Sequence, residues 1–364
     1  MDADMSPTSG LTVGPRGRRV VLEIAKAADP RVGEVLWPLA YNANVDAGAS
    51  IVAFGWDDEG NAFETRGRVG TEATVSDLAA RIRGVGALDP DATTLDAAML
   101  RAVDSARYWQ APDGEDIIAA LPEVRAALAA VSVGLTERAD TAWWRRDRAI
   151  EQWAIKFDPS GDGAPFDPAP GAADAWLQGT LDEQERARRD RPSDPQANWS
   201  GSWWSFPSGA PHTTGELPPG LPVGIPYVED GFGWTRARAV PVRGGGRTFE
   251  IRDADDWAEL CRRHPLEVTA SRRHDWYRTT GRDRRWLLPD WSSVAEEWDA
   301  VHLTGWAYLT AATREIVIDD DFSSVLGGWG PDETYWLTGF VREVEGPRVH
   351  WVADAPEGPW RRAE

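Results

Sequence analysis

The stretch Val301–Leu309 (VHLTGWAYL) decides how the C-terminal half of this chain is read. Read as a strand, it has two unlike faces, because successive side chains of extended backbone point to opposite sides. Val301, Leu303, Ala307 and Leu309, with Gly305 among them, make an apolar face. His302, Thr304, Trp306 and Tyr308 make the other, an imidazole, a hydroxyl, an indole and a phenol in one row. Such a row lines a ligand site, or it is a second core face with polar tips.

Working upstream, Asp299 stands just before this strand and is a candidate to orient the His302 imidazole, as carboxylates do for general bases. A short helix is expected over Pro289–Trp298, capped by Asp290. Before it lies a basic island, Arg262 to Arg285, with Trp276, Tyr277 and Trp286 interleaved. Its Arg262, Arg263, Arg272, Arg273, Arg278, Arg282, Arg284 and Arg285 face only Glu267, Asp275 and Asp283, in a chain of net charge −20. Guanidinium forks suit phosphate or carboxylate, and aromatic faces suit flat rings. Arg272, Arg273, His274, Trp276 and Arg278 are therefore candidate ligand-binding residues, with His274-Asp275 a second imidazole–carboxylate pair. The structural alternative is a salt-bridged surface, with Arg262 and Arg263 answering the dipole of a helix that starts at Asp253.

Downstream, strands are expected over Arg314–Ile318, Ser324–Leu326, Thr334–Phe340 and Arg348–Val352. Trp336 shares a face with Thr334 and Thr338 and joins Thr304, Trp306 and Tyr308 among the candidate ligand contacts. The turn Gly327–Glu333 either presents Asp332 or Glu333 at the mouth of a pocket or is a plain glycine-rich turn. It lacks phosphate-loop spacing and a following lysine. Asp319-Asp320-Asp321 has no calcium-loop spacing and reads as a solvated turn.

The N-terminal half alternates differently. Arg19–Ile24, Ile51–Trp56 and Phe63–Val69 read as strands, the last two joined by turn chemistry at Asp57–Asn61. Helical spacing follows over Val75–Val85, Thr94–Trp109, Ile117–Val133 (kinked or split at Pro122) and Thr141–Phe157. The expected fold is α+β in two domains. Short strands and a helical run fill 18–157 after a disordered arm, 1–17. A linker spans 158–171, and a charged helix with a Pro/Gly/Trp-rich strap spans 172–224. A Trp-rich, mainly antiparallel sheet with short helices fills 225–364. The strap (NWSGSWWSFPSGAPHTTGELPPGLPVG and its flanks) is too aromatic to be a linker and is expected to pack across a surface as a lid or strap.

Composition bounds the function. The strong negative charge argues against nucleic acid and anionic membranes, and no apolar run is long enough for a membrane helix. The polar N-terminus lacks the apolar core of a secretory signal. The lone Cys261 excludes an intrachain disulfide and a cysteine-cluster metal site, and a cytoplasmic location is expected. No cofactor motif, helical zinc pattern or nucleophile elbow occurs, so no metal and no cofactor are expected. Fourteen of the 21 tryptophans lie from Trp199 onward. Buried indoles want a partner for their N–H, so most are expected in the core and some at a pocket. The functional expectation is a soluble binding protein for an anionic, partly aromatic, nucleotide-like ligand or for a basic partner protein. The competing expectation is an enzyme on a nucleotide-like substrate, a transferase or glycosidic-bond hydrolase, with His302 as base.

Overall fold

A computed structural model describes residues 10–56, 62–159, 166–218, 220–356 and 358–363. The chain is α+β and divides into two compact units, one of residues up to Ser105 with Ala111–Thr141, the other of Ala106–Gln110 with Ala142–Glu364. The boundary expected at 157 coincides with the end of a strand, Glu151–Phe157, that belongs to the second unit.

In the first unit the elements run α1 (Pro15–Ala28), α2 (Pro30–Asp46), β1 (Val52–Trp56), β2 (Ala62–Arg66), α3 (Val75–Val85), α4 (Ala92–Asp104), α5 (Gly114–Ala120) and α6 (Pro122–Val131). β1 and β2 pair antiparallel as expected; the turn residues Asp57–Asn61 lie outside the described residues. Helix starts carry their sequence signals. Proline opens α1, α2 and α6, where its missing N–H costs nothing. Thr74 and Asp77 form a reciprocal capping box on α3, and Asp91 and Asp113 cap α4 and α5. Pro122 splits the expected Ile117–Val133 helix into α5 and α6.

Two expectations fail here. Arg19–Ile24 is not a strand but the middle of α1. Val20, Val21, Leu22 and Ile24 are all buried, and so are Arg16, Arg18 and Arg19. The consecutive Val20-Val21-Leu22 with Ile24 imitate a strand, because β-branched runs favour extended backbone and this window holds little of the polar side of α1. Of the expected disordered arm, 10–17 is ordered, with a 3-10 turn over Leu11–Val13 ahead of α1; residues 1–9 lie outside the description. Burying arginines requires partners. Arg16 pairs with Asp116 and donates to the Ala102 carbonyl at 2.8 Å. Arg19 reaches Glu23 at 2.7 Å and Asp113 and Glu115 at 2.9 Å each.

From Ala142 the second unit runs β3 (Glu151–Phe157), α7 (Ala172–Asp190), β4 (His212–Thr214), β5 (Glu216–Leu217), β6 (Leu221–Pro222), β7 (Arg236–Gly244) and β8 (Thr248–Ile251). It continues through α8 (Ala254–Arg263), β9 (Pro265–Glu267), α9 (Thr269–Thr280), β10 (Arg285–Pro289), α10 (Trp291–Glu297), β11 (Ala300–Leu303) and α11 (Gly305–Ala311). It ends with β12 (Glu315–Val317), β13 (Phe322–Val325), β14 (Glu333–Trp336), β15 (Val341–Glu343), β16 (Val349–Val352) and β17 (Arg361–Arg362). The main sheet has the order β17-β16-β7-β3-β4-β14-β11-β8, with β15 also on β7. All of its pairs are antiparallel except β11 with β8. A smaller sheet, β12-β13-β10-β9, has its one parallel pair between β10 and β13. The expected mainly antiparallel arrangement is what forms. Gly244 lets β7 pass the Trp336 ring, because a Cβ there would lie 1.8 Å from the indole.

The decisive stretch is not one strand. Only Ala300–Leu303 is extended; Thr304 caps α11 by accepting from the Ala307 N–H at 3.1 Å. Every residue of α11 is buried, so the apolar run carries no helical period. The expected helix Thr141–Phe157 is also corrected. A 3-10 segment spans Ala139–Arg145, and Glu151–Phe157 is β3, antiparallel to β7 along its whole length.

Replacing Asp116 by alanine takes from the buried Arg16 the carboxylate it pairs with, which costs about 3–5 kcal/mol for a broken buried pair. Urea unfolding followed by circular dichroism is expected to show a loss of that size. A loss under about 1 kcal/mol, the range of surface ion pairs, contradicts it.

Candidate functional site

His302 sits on β11, between β14 and the end strand β8 of the main sheet, with no exposure. On β11 it is opposite Glu250 of β8 and Thr334 of β14. Its Nδ1 lies 2.6 Å from Glu250 Oε2, and its Nε2 lies 3.7 Å from Asp332 Oδ1. Burial disfavours the charged ring, but Asp332 and Glu250 on its two sides outweigh that and push the imidazole up to about 9. The two carboxylates thus favour the imidazolium form, and burial leaves neither ring nitrogen exposed to solvent. Asp299, the expected orienting carboxylate, is elsewhere: it accepts from the Arg247 N–H at 2.7 Å and from Thr338 Oγ1 at 2.8 Å.

The rest of the expected row is dispersed by the strand-to-helix change. Thr304 is the cap of α11. Tyr308 is buried, and Trp306 lies under the Arg145 guanidinium, 3.5 Å from the ring centroid. Trp336 is a core ring whose Nε1 donates to Thr213 Oγ1 at 2.8 Å. Thr213 donates to Gln152 Oε1, and the Gln152 amide donates to Thr334 Oγ1. Of the polar tips that suggested a ligand face, Trp336 and Thr334 are satisfied in this network, and the Thr304 hydroxyl donates to the Ile251 carbonyl at 3.2 Å.

Several residues of the basic island hold the strap. Arg273 Nη1 donates to the Ser193 carbonyl at 2.8 Å, Arg278 Nη2 to that of Ala197 at 3.3 Å, and Trp276 Nε1 to that of Trp203 at 2.8 Å. In return Asp275 accepts from the Gly201 N–H at 2.9 Å and pairs with Arg278 at 3.0 Å. His274 is buried beside them, and burial and Arg273 hold its imidazole below the usual range. The remaining arginines pair outward, Arg263 with Glu297, Arg284 with Glu315, Arg285 with Glu267. Cys261 is fully buried, and burial pushes its thiol up to about 12, which makes it inert.

One residue of the expected set faces a cavity. Arg272 lines an open groove of about 670 Å³ between α7 and the strap. Glu183 of α7 holds Arg272 at 3.0 Å and Arg191 at 3.0 Å. Burial alone would raise the Glu183 carboxyl, and Arg272 with Arg191 keeps it below the ordinary range. The Arg272 Nε is buried without a hydrogen-bond partner among the described residues. Trp176, Trp199 and Trp204 supply ring surface, Trp199 being 40% exposed, and Arg186 stands exposed on the rim. α7 seats this groove because Ala173, Trp176, Thr180, Gln184 and Ala187 recur at helical spacing and turn one face inward. That this segment is a charged helix anchored by Trp176 was legible in the sequence, though Leu181, also expected to anchor it, is exposed. Its association with Trp199 and Trp204, distant in sequence and on irregular backbone, was not.

Compared with known proteins, the chain matches no family model, no curated protein and no solved structure. Among the described residues, no His, Cys, Asp and Glu side chains gather as a metal site, and no helix is long and apolar enough to cross a membrane.

The His302 clamp makes stability pH-dependent. Its folded-state value lies above the ordinary histidine value, so the contribution is full below about pH 6.5 and is lost as pH rises through about 9. The size is on the order of 3 kcal/mol. In urea unfolding, the gap between wild type and His302→Gln is expected to narrow by that order between about pH 6 and pH 10. A constant gap sinks the assignment.

Proposed function

We propose that this protein is a cytoplasmic binding protein whose second unit recognises an anionic ligand carrying a flat ring. The supporting observation is the groove, where Arg186, Arg191 and Arg272 line the same space as Trp199 and Trp204. Guanidinium groups answer phosphate or carboxylate, and exposed indole faces answer an aromatic ring. The lining also holds Glu183 and Asp190, so the arginines outnumber the acids by one. In a chain of net charge −20 that local reversal is a selective feature. The unpartnered Arg272 Nε adds a buried donor available to a ligand. A binding reading suits the groove better than a catalytic one, because no imidazole lines it among the described residues. The single buried thiol agrees with a reducing compartment.

Titration with AMP, which joins a ring to a phosphate, is expected to quench tryptophan fluorescence and to raise the melting temperature. Trp199→Ala and Arg186→Glu change exposed residues and should leave the fold intact. Each is expected to weaken AMP binding roughly tenfold, as loss of a stacking or charge-assisted contact of 1–2 kcal/mol does. Wild-type protein showing neither quenching nor a thermal shift with millimolar AMP would refute the reading.

A further inference from the structure

A second cavity lies on the other side of the strap's length, against the main sheet. It is small, about 80 Å³, and Trp153, Phe157 and Tyr227 wall it with rings while Glu229, Glu333 and His212 bring polar groups. No lysine or arginine lines it, in a chain with 37 arginines. Glu333 reaches it by strand alternation. Within β14, Thr334 pairs with His302, so Glu333 lies on the opposite face of the sheet from both. Glu333 Oε2 accepts from the Gly330 N–H at 2.7 Å, and its Oε1 lies 3.7 Å from His212 Nε2. Glu229 is anchored by Tyr108, whose hydroxyl donates at 3.0 Å, and by the Gly328 N–H at 2.9 Å.

An aromatic run leads from this cavity to solvent. The wall residue Phe157 stacks on Trp234, with ring centroids 4.3 Å apart, and Trp234 meets Phe232 at 5.3 Å. Phe232 is 77% exposed on the loop Asp230–Gly233, whose φ of 53° at Asp230 and 72° at Gly233 lifts it outward. Exposed aromatic surface beside a concave site marks an interaction surface rather than packing.

We infer that this cavity is a ligand site for the ammonium group of a small primary amine, whose apolar body rests on the Phe157–Trp234–Phe232 rim. Three physical points converge on a cation. Ring faces carry negative quadrupole charge and attract ammonium groups. Glu333 supplies the formal charge, and an ammonium fits a space of this size where a larger head group does not. Burial holds the Glu333 carboxyl above its ordinary range, which an arriving cation would relieve. The donor set does not suit a metal ion, since no three ligating side chains converge there among the described residues. This site is independent of the groove, and either can fail alone.

Benzylamine and benzyl alcohol, alike in shape and differing in charge, test it by calorimetry on the full chain. Benzylamine is expected to bind at least tenfold more tightly, and the preference should fall as pH drops and Glu333 is protonated. Glu333→Gln should abolish the preference. Phe232→Ala, a change at an exposed residue, should weaken both compounds several-fold and leave the preference intact, which also serves if the Glu333 variant does not fold. Equal binding of the two compounds, or a Glu333→Gln protein that keeps the preference, overturns the inference. So does a Phe232→Ala protein that binds both as wild type does.

Discussion

A charged imidazole buried between two carboxylates is the constraint on which the second unit turns. An isolated ion at that depth would cost several kcal/mol, so His302 is tolerable only if Glu250 and Asp332 are both delivered to it. Glu250 arrives by the parallel pairing of β8 with β11, and Asp332 by the turn into β14. The register of three strands is thereby tied to one side chain, since a slip of one residue would turn a carboxylate to the other face. Asp332 adopts its left-handed backbone in the same context. The Gly215 N–H at 2.8 Å and Arg146 at 3.4 Å complete its shell and offset the strain. Alternation within β14 places Glu333 on the face opposite Thr334 and His302, at the small cavity.

The arginine island, which in an acidic chain invites a ligand explanation, follows from a backbone problem. The strap is rich in proline and glycine, and much of it joins no sheet ladder, so its carbonyls need other donors. Arg273, Arg278 and the Trp276 indole supply them from one helix, α9. Guanidinium groups suit this role because each presents several N–H groups in a fixed fork. The same demand explains much of the tryptophan excess. Trp257 Nε1 donates to Ser324 Oγ at 2.9 Å and Trp329 Nε1 to Ser205 Oγ at 3.0 Å. Trp257, Trp291 and Trp329 contact one another with centroids 6.1–6.2 Å apart. Trp257 and Trp329 are core rings with matched polar tips, whereas the Trp291 Nε1 is buried without a hydrogen-bond partner among the described residues.

How much was legible in the sequence depended on whether an element has a solvent face. β8, β12, β14 and β16 were legible because strands in this sheet alternate or are bounded by turn residues. The caps at Thr74, Asp91 and Asp113 sit where short polar side chains precede helical spacing. α11 was misread as a strand because it is buried all round, and periodicity needs a polar side to be visible; α1 was misread because its β-branched run imitates one. β3 was lost for the opposite reason: Trp143, Trp144 and Trp153 suggested one helical stripe, while Glu151–Phe157 exposes and buries residues in turn. The candidate site fared likewise. Residue types at His302 and Arg272 were correctly singled out as unusual, but which neighbour satisfies each depends on pairings between segments far apart in sequence.

The two cavities differ in charge yet share the strap. Trp199 and Trp204 of the strap enter the arginine-lined groove, and His212 of the same segment enters the glutamate-lined cavity. Between them runs a continuous stack: Trp204 with Phe206 at 6.2 Å, Phe206 with Tyr335 at 5.2 Å, and Tyr335 with His212 at 5.4 Å. The strap reaches both by changing character along its length. Up to Pro211 it lies outside any strand or helix after α7, and α9 holds it through the carbonyls of Ser193, Ala197 and Trp203. From His212 it becomes β4, held by its ladders to β14 and β3. The wall of the groove therefore rests on side-chain donors, and that of the small cavity on sheet register.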